Sequence, residues 1–250
     1  MTQEGKLPFT ARSVLASALL GEEPPELPVS HLVHLAGLFG INENRARVAL
    51  SRMATAGEVT TDGSGRYRLA GRLLERQARQ NESRQGASGP WKGEWRLVVV
   101  VAAGRSAEER TARRRRLALA RLAEQREGFW LRPDNIELRP DPSHDPDLAL
   151  YSGAPDVPPD ELVTTLWDLD GWAARAEALR AALGDLTPRG PGDLAPGFAL
   201  SATVLRHLQA DPLVPEELLP RSWPGRALRA SYDSWDRRYR QVLRAWGREA

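Results

Sequence analysis

The stretch from Asn42 to Leu69, NENRARVALSRMATAGEVTTDGSGRYRL, leaves its backbone few choices. Asn42 is a preferred N-cap residue, and Glu43 suits the positive end of a helix. At about 100° per residue, Ala46, Ala49, Leu50 and Met53 fall on one side. Asn44, Arg47, Val48 and Ser51 fall on the other, with Arg45 and Arg52 on its flank. Gly57 stops the helix, because glycine accepts the left-handed conformation that follows a C-cap. Val59–Thr61 and Tyr67–Leu69 are short strands, and Asp62-Gly63-Ser64-Gly65 is turn chemistry between them. A helix buried on one side and basic on the other, followed by a basic hairpin, suits double-stranded DNA. The helix fits the major groove and the hairpin lies along the backbone as a wing. The expected contacts are Asn44, Arg45, Arg47, Ser51 and Arg52 on the helix, and Arg66 and Arg68 on the hairpin. Arg47 and Arg52 are expected to be essential. The competing reading is a solvated basic helix packed on a small sheet.

The residues upstream complete the unit. Thr10 caps a helix over Ala11–Leu20, with Val14, Leu15, Ala18 and Leu19 inward. Glu22–Pro28 reads as a Pro-rich loop, and a second helix runs to Gly37. Three helices and a hairpin in this order predict a winged helix-turn-helix. His31 and His34, spaced i, i+3, could share a metal, but no third ligand stands at a convincing spacing. Ala70–Gln85 continues as a polar helix, and Gly86–Pro90 is the clearest linker.

Charge is unevenly spread along the 250 residues. Residues 1–89 hold eleven basic and nine acidic side chains, net +2; residues 90–140 hold twelve and seven, net +5; residues 141–250 hold twelve and seventeen, net −5. An acidic final part is repelled by phosphate, so duplex binding belongs to the first part. Cysteine is absent, which excludes disulfides, thiolate metal sites and cysteine nucleophiles. No apolar run approaches the roughly 18 residues of a membrane span. MTQEGKLPFT lacks the pattern of a signal peptide, so a cytoplasmic location is expected.

From Trp91 a second unit begins. Trp95–Ala102, WRLVVVVA, is a continuous apolar strand of the kind buried on both faces. Ser106 caps a helix expected to end near Gln125. Its Arg113–Arg116 run points all round and reads as a solvated face rather than a phosphate contact. Gly128–Leu131 and Asn135–Arg139 read as strands broken by Arg132-Pro133, and Leu148–Ser152 as another. This order predicts a ferredoxin-like α+β domain. DPSHDPD, residues 141–147, reads as a turn cluster rather than a metal loop. The remainder is helical: Pro159–Leu183, Phe198–Gln209 after a Pro/Gly loop over Thr187–Gly197, and Arg226–Trp246. The last carries Leu228, Tyr232, Trp235, Tyr239, Leu243 and Trp246 along one stripe, which suits core or a dimer seam. The expectation is thus an α+β multidomain chain. Residues 1–86 form a winged helix with a trailing helix, 90–155 a ferredoxin-like domain, and 156–250 a helical domain.

No Walker loop, dinucleotide fingerprint, GxSxG elbow or HExxH is present, so no enzyme, cofactor or metal is expected. A metal-dependent nuclease or RNA-binding protein built on the central domain is the alternative. It would want an acidic residue at the end of the first central strand, where Val101-Ala102-Ala103-Gly104 stands. An adaptor whose winged helix binds protein is a third reading.

Four segments carry a family resemblance. ARVALSRMATAGEV (46–59) resembles the recognition-helix pattern of the PaaX family, keeping Arg47 and Arg52. WKGEWRL (91–97) resembles its W-D-G-x-W segment, LWDLDGWAAR (166–175) its W-D-L motif, and Asp211–Gly225 its DPxLPxxLLPxxWxG signature. The resemblance implies a transcriptional repressor of aromatic catabolism with a winged helix, a ferredoxin-like centre without nuclease activity and a helical C-terminal domain. It also implies a homodimer on palindromic DNA and an aryl-acyl-CoA effector. The chain departs from the family in three places. Its wing keeps only Arg66 of an Arg-Arg pair, Ala202 and Val204 stand for a His and a Tyr before the shared Arg206, and the C-terminus is short. With the family's ligand in view, Trp95, Trp130, Trp167 and Trp223 are candidate aromatic walls and Arg206 a candidate anion partner, between the central and C-terminal domains. The competing expectation makes the tryptophans core and pairs Arg206 with Asp211.

Overall fold

Helices and two small antiparallel sheets make up the computed structural model, which describes residues 9–86, 89–102 and 106–247. The signal-peptide reading of residues 1–8, part of the 86–90 linker and the end of the first central strand at 103–104 lie outside the described residues. Two compact units emerge. One comprises Met1–Arg84, Leu179–Gln209 and Ala230–Ala250, the other Gln85–Ala178 and Ala210–Arg229. This grouping does not coincide with the three expected segments, because residues 156–250 are shared between both units.

In the first unit the order is α1 (Ala11–Leu20), β1 (Glu26–Pro28), α2 (Val29–Gly37), α3 (Glu43–Thr55), β2 (Val59–Thr61), β3 (Arg66–Leu69) and α4 (Gly71–Gln85). Strand β1 falls in the stretch read as loop. It pairs antiparallel with β3, giving the order β1-β3-β2. Pro24 and Pro25 before it and Pro28 at its end masked it, and an edge strand tolerates proline. Val14, Leu15 and Leu19 of α1, Leu32 of α2, and Ala46, Leu50 and Met53 of α3 form the core, closed by Val59 and Leu69.

In the second unit β4 (Trp95–Val100) is followed by α5 (Ala107–Leu119), β5 (Ala123–Arg126), β6 (Phe129–Pro133) and β7 (Leu148–Gly153), in sheet order β5-β6-β4-β7. Two expectations are corrected here. Helix α5 ends at Leu119, not near Gln125, and a strand takes its place, with Arg121 turning the chain at φ 61°. Strand β6 runs unbroken through Arg132-Pro133, while 135–139 forms no strand. Arg132 does not break it because its buried guanidinium is fully engaged. It donates to the carbonyls of Pro212 and Leu213 at 3.2 and 3.1 Å and to Asn135 Oδ1 at 2.9 Å. Strand β4 lies inside the sheet and packs on both faces. Trp95 joins Leu131, Leu162 and Val163 on one, and Val98 joins Trp130 and Leu117 on the other. The helix read over 159–183 is two, α6 (Pro159–Leu166) and α7 (Leu169–Asp185), because Asp168 accepts the Gly171 N–H at 2.8 Å and caps the second.

Helix α8 (Leu194–Gln209) starts four residues before Phe198, inside the expected loop. Pro196 sits in its first turn, where no N–H is needed. Gly197 is required there, because a Cβ would lie 2.7 Å from the Tyr239 ring. Helix α9 (Gly225–Gly247) carries the aromatic stripe, and it is core. Tyr232, Trp235 and Tyr239 are buried, Trp235 donates to the Leu186 carbonyl at 2.6 Å, and Tyr239 donates to that of Leu194 at 3.0 Å.

Glu58, immediately after the α3 stop, is a buried charge of the first unit, as is Asp236 of α9. Arg12 of α1 donates to both Glu58 oxygens at 2.8 and 2.7 Å, and Arg72 of α4 donates Nε at 2.9 Å. The Arg12 hydrogen bonds, opposed by burial and reinforced by Arg72, pull the Glu58 carboxyl down to about 2. A lowered folded-state pKa means the triad stabilises above the ordinary carboxylate range near 4.5 and loses that contribution as pH falls toward 2. Glu58→Gln is therefore expected to lower unfolding free energy by roughly 1–3 kcal/mol at pH 7, with the deficit shrinking as wild type is acidified. Urea titrations at pH 7 and pH 3 check both parts.

Candidate nucleic-acid interface

Helix α3 is built as its sequence dictates. Asn42 Oδ1 accepts the Arg45 N–H at 2.9 Å, and Gly57 leaves the helix at φ 67°. With Ala46, Leu50 and Met53 buried, Asn44, Arg45, Arg47, Val48, Ser51 and Arg52 are exposed together. Val48, 43% exposed, is an apolar group amid this polar arc, of the kind that meets a thymine methyl.

The charges differ in their freedom. Arg47 is held by Glu43 one turn back, Nε to Oε1 2.7 Å, in an exposed pair worth a few tenths of a kcal/mol. Arg45 and Arg52 have no ion pair among the described residues. Together with Asn44 and Val48 they line a groove of about 550 Å³ whose other wall includes Arg12 and Arg72. On the hairpin, Asp62 Oδ1 accepts the Ser64 N–H at 2.9 Å and shapes the turn. Arg66 and Arg68 project from β3 and both engage Glu26 of β1, Arg68 Nε at 2.8 Å. Their hydrogen bonds hold the Glu26 carboxyl below its usual range. Glu26, Glu58, Arg12 and Arg72 were absent from the sequence reading. The spacing Arg72, Arg76, Arg79 on α4, which puts cations on one helix face, was the available signal for the last of them.

Of the other candidates, Trp95, Trp167 and Trp223 share one core cluster, while Trp130 and Arg206 lie apart from it. Trp95 and Trp130 sit on opposite faces of the second sheet, one in each of its cores. Trp167 and Trp223 pack beside Trp95, and Trp223 stacks on Trp172 with ring centroids 4.5 Å apart. Arg206, on α8, belongs to the first unit and lines a cleft there. Asp211 pairs not with Arg206 but with Arg229, at 2.8 Å. The Arg113–Arg116 run is not wholly the solvated face expected: Arg113 is buried, and Arg113, Arg114 and Arg116 each hold a carboxylate. Arg113 holds Asp147 at 2.6 Å and Arg116 holds Asp145 at 2.7 Å, which ties the acidic loop to α5. Among the described residues no cluster of metal-ligating side chains occurs. His34 stacks on Trp246, centroids 3.8 Å apart.

Two family models match the chain: that of the PaaX-like protein over residues 10–73, and that of the PaaX-like protein C-terminal domain over residues 167–248. Together they span more than half of it, and the chain belongs to the PaaX-like family. No curated protein matches. Among solved structures, the uncharacterized protein Rv0674 from Mycobacterium tuberculosis is similar, with 38% sequence identity and a TM-score of 0.72 over 94% of this chain and 98% of that one. No described helix is long and apolar enough to cross a membrane.

Because the Asn42 cap sets where α3 begins, Asn42→Ala is expected to cost about 1 kcal/mol. Thermal unfolding followed by circular dichroism checks this.

Proposed function

We propose that this chain is a DNA-binding transcriptional regulator of the repressor type, acting as a cytoplasmic homodimer on a palindromic operator and released by a small aromatic or acyl-CoA effector. The observation that carries the reading is the exposed face of α3, where Arg45 and Arg52 stand with Asn44, Arg47 and Ser51 beside a hairpin bearing Arg66 and Arg68. The order α1-β1-α2-α3-β2-β3 supports a winged helix with α3 as recognition helix and β2-β3 as wing. The order β5-β6-β4-β7, all antiparallel, supports a ferredoxin-like centre whose second crossover is an irregular segment with a single 3-10 turn at Pro142–His144. The functional segments proposed remain 1–86, 90–155 and 156–250; the two family models fall within the first and last. Family membership favours the regulator over the nuclease or RNA-binding alternative.

Arg45 and Arg52 replace Arg47 and Arg52 as the leading pair, since Arg47 must first leave Glu43. In a gel shift with the chain's own promoter region, Arg45→Ala and Arg52→Ala are each expected to weaken binding by roughly 1–3 kcal/mol where a base edge is read. A phosphate contact would instead reduce the salt slope by about one. A folded double variant that binds like wild type overturns the assignment, and cleavage dependent on divalent metal would favour the nuclease.

One winged helix makes a small interface, and two half-sites on one duplex gain by effective concentration. The chain mass is 27.7 kDa, so sedimentation at micromolar concentration is expected to show a species of twice that. A monomer alone counts against the dimer. Of the two readings of the α9 stripe, core or dimer seam, its buried aromatics favour core.

A further inference from the structure

Within the first unit, α1, α4, α8 and α9 border a cleft of about 480 Å³ that opens to solvent, in the size range of small-molecule sites, and Arg12, Arg76 and Arg206 stand exposed along it. Phe9, Phe198 and Leu205 supply an apolar wall, Phe9 and Phe198 meeting edge to face at 5.7 Å. The rest is cationic, with Arg12, Arg76, Arg84, Arg206 and Arg240 in the lining. The carboxylates that line it, Glu22 and Asp236, are already engaged. Asp236 holds Arg84 at 3.2 Å and Arg240 at 2.9 Å, and Glu22 lies 3.6 Å from Arg240 and 3.7 Å from Arg244. Arg12 is committed to Glu58. Arg76 and Arg206 have no carboxylate partner among the described residues. Crowding by protein atoms, and then the like charges of Arg12, Arg79 and Arg206, push the Arg76 pKa below its ordinary value. Arg79 reaches Glu75 only at 3.9 Å. Guanidinium groups gathered on one concave wall repel one another, and a bound anion relieves that repulsion.

We propose that this cleft binds an organic anion, a carboxylate or phosphate carried on an apolar body, with Arg76 and Arg206 meeting the charge and Phe9, Phe198 and Leu205 the body. A duplex backbone would use the charge but has no need of the apolar wall. Arg12 lines both this cleft and the groove beside α3. An anion in the cleft competes with Glu58 for Arg12, and so couples occupancy to the α3 face. This coupling rests on the DNA-binding reading, whereas the site does not.

The test is a fluorescence titration of the full chain with 1-anilinonaphthalene-8-sulfonate, an organic anion with an apolar body, and phenyl phosphate as competitor. Saturable binding of one dye per chain is expected, displaced by phenyl phosphate. Affinity should fall about tenfold or more in Arg76→Gln and in Arg206→Gln. Arg76→Lys, which keeps the charge, should retain more of it. Arg226→Gln, at an exposed arginine of the other unit paired with Glu216, should match wild type. Absence of dye binding, or binding unchanged in both glutamine variants with native circular dichroism, overturns the proposal. So does loss of DNA affinity in those variants with dye binding intact, which would make the cluster a phosphate-backbone contact. A gel shift with saturating phenyl phosphate reads the coupling, and unchanged operator affinity overturns it. If wild type binds no DNA while the dye result holds, the regulator reading fails and the anion site stands.

Discussion

The packing of α1, α3 and α4 in the first unit turns on the buried carboxylate of Glu58. Glu58 follows the glycine that ends α3, and its charge is tolerable in the interior only because Arg12 and Arg72 reach it from α1 and α4. The side chains thereby tie the start of α1, the exit of α3 and the start of α4 to a single point. The position of α3 relative to its neighbours is set by charge-assisted hydrogen bonds as well as by the Leu15, Leu32 and Leu50 core. Because both guanidinium groups also border the groove beside α3, the interaction that holds the unit together helps to shape the surface it presents.

The second unit solves a similar problem with a buried cation. Arg132 lies on β6 with its side chain fully enclosed, and the backbone carbonyls of Pro212 and Leu213 satisfy it. Those carbonyls belong to the Asp211–Gly225 signature. Asp211 in turn bonds the Leu213 N–H at 2.9 Å and Arg229 at 2.8 Å, while Leu213 adopts a positive φ of 50°. This segment thus has a structural role. Its prolines and its aspartate shape a bend that presents carbonyl oxygens to an arginine some eighty residues earlier.

The segments most legible in the sequence were those with local causes. Thr10, Asn42 and Ser106 cap the helices they announce, and Gly57 ends the one before it. The hairpin turn at Asp62-Gly63-Ser64-Gly65 is where its residue chemistry puts it. Errors fell where a distant partner decides. Glu26–Pro28 is a strand because β3 offers it hydrogen bonds, and 123–126 is a strand because β6 does. The break at Trp167-Asp168 is the exception, since its cause is local: Asp168 caps a new helix through the N–H three residues on, inside a run whose apolar period continues across it. The aromatic stripe on α9 has the same period whether it meets a second chain or its own core, so only packing could choose between them.

By itself the sequence determined that α3 exists, where it starts and stops, and which of its side chains face water, because caps, glycines and a 3.6-residue period act within a few residues. It also placed Arg66 and Arg68 on the hairpin that follows. Only the tertiary structure decided which arginines are left without a carboxylate. Arg47, Arg66 and Arg68 are held by Glu43 and Glu26, whereas Arg45, Arg52, Arg76 and Arg206 have no carboxylate partner among the described residues. Glu43 lies one helical turn from Arg47, but Glu26 reaches Arg66 and Arg68 across a β ladder forty residues away in the chain. The cleft around Arg76 and Arg206 likewise joins residues from α1, α4, α8 and α9. Electrostatic pairing depends on distance in space, and separation along the chain does not report it.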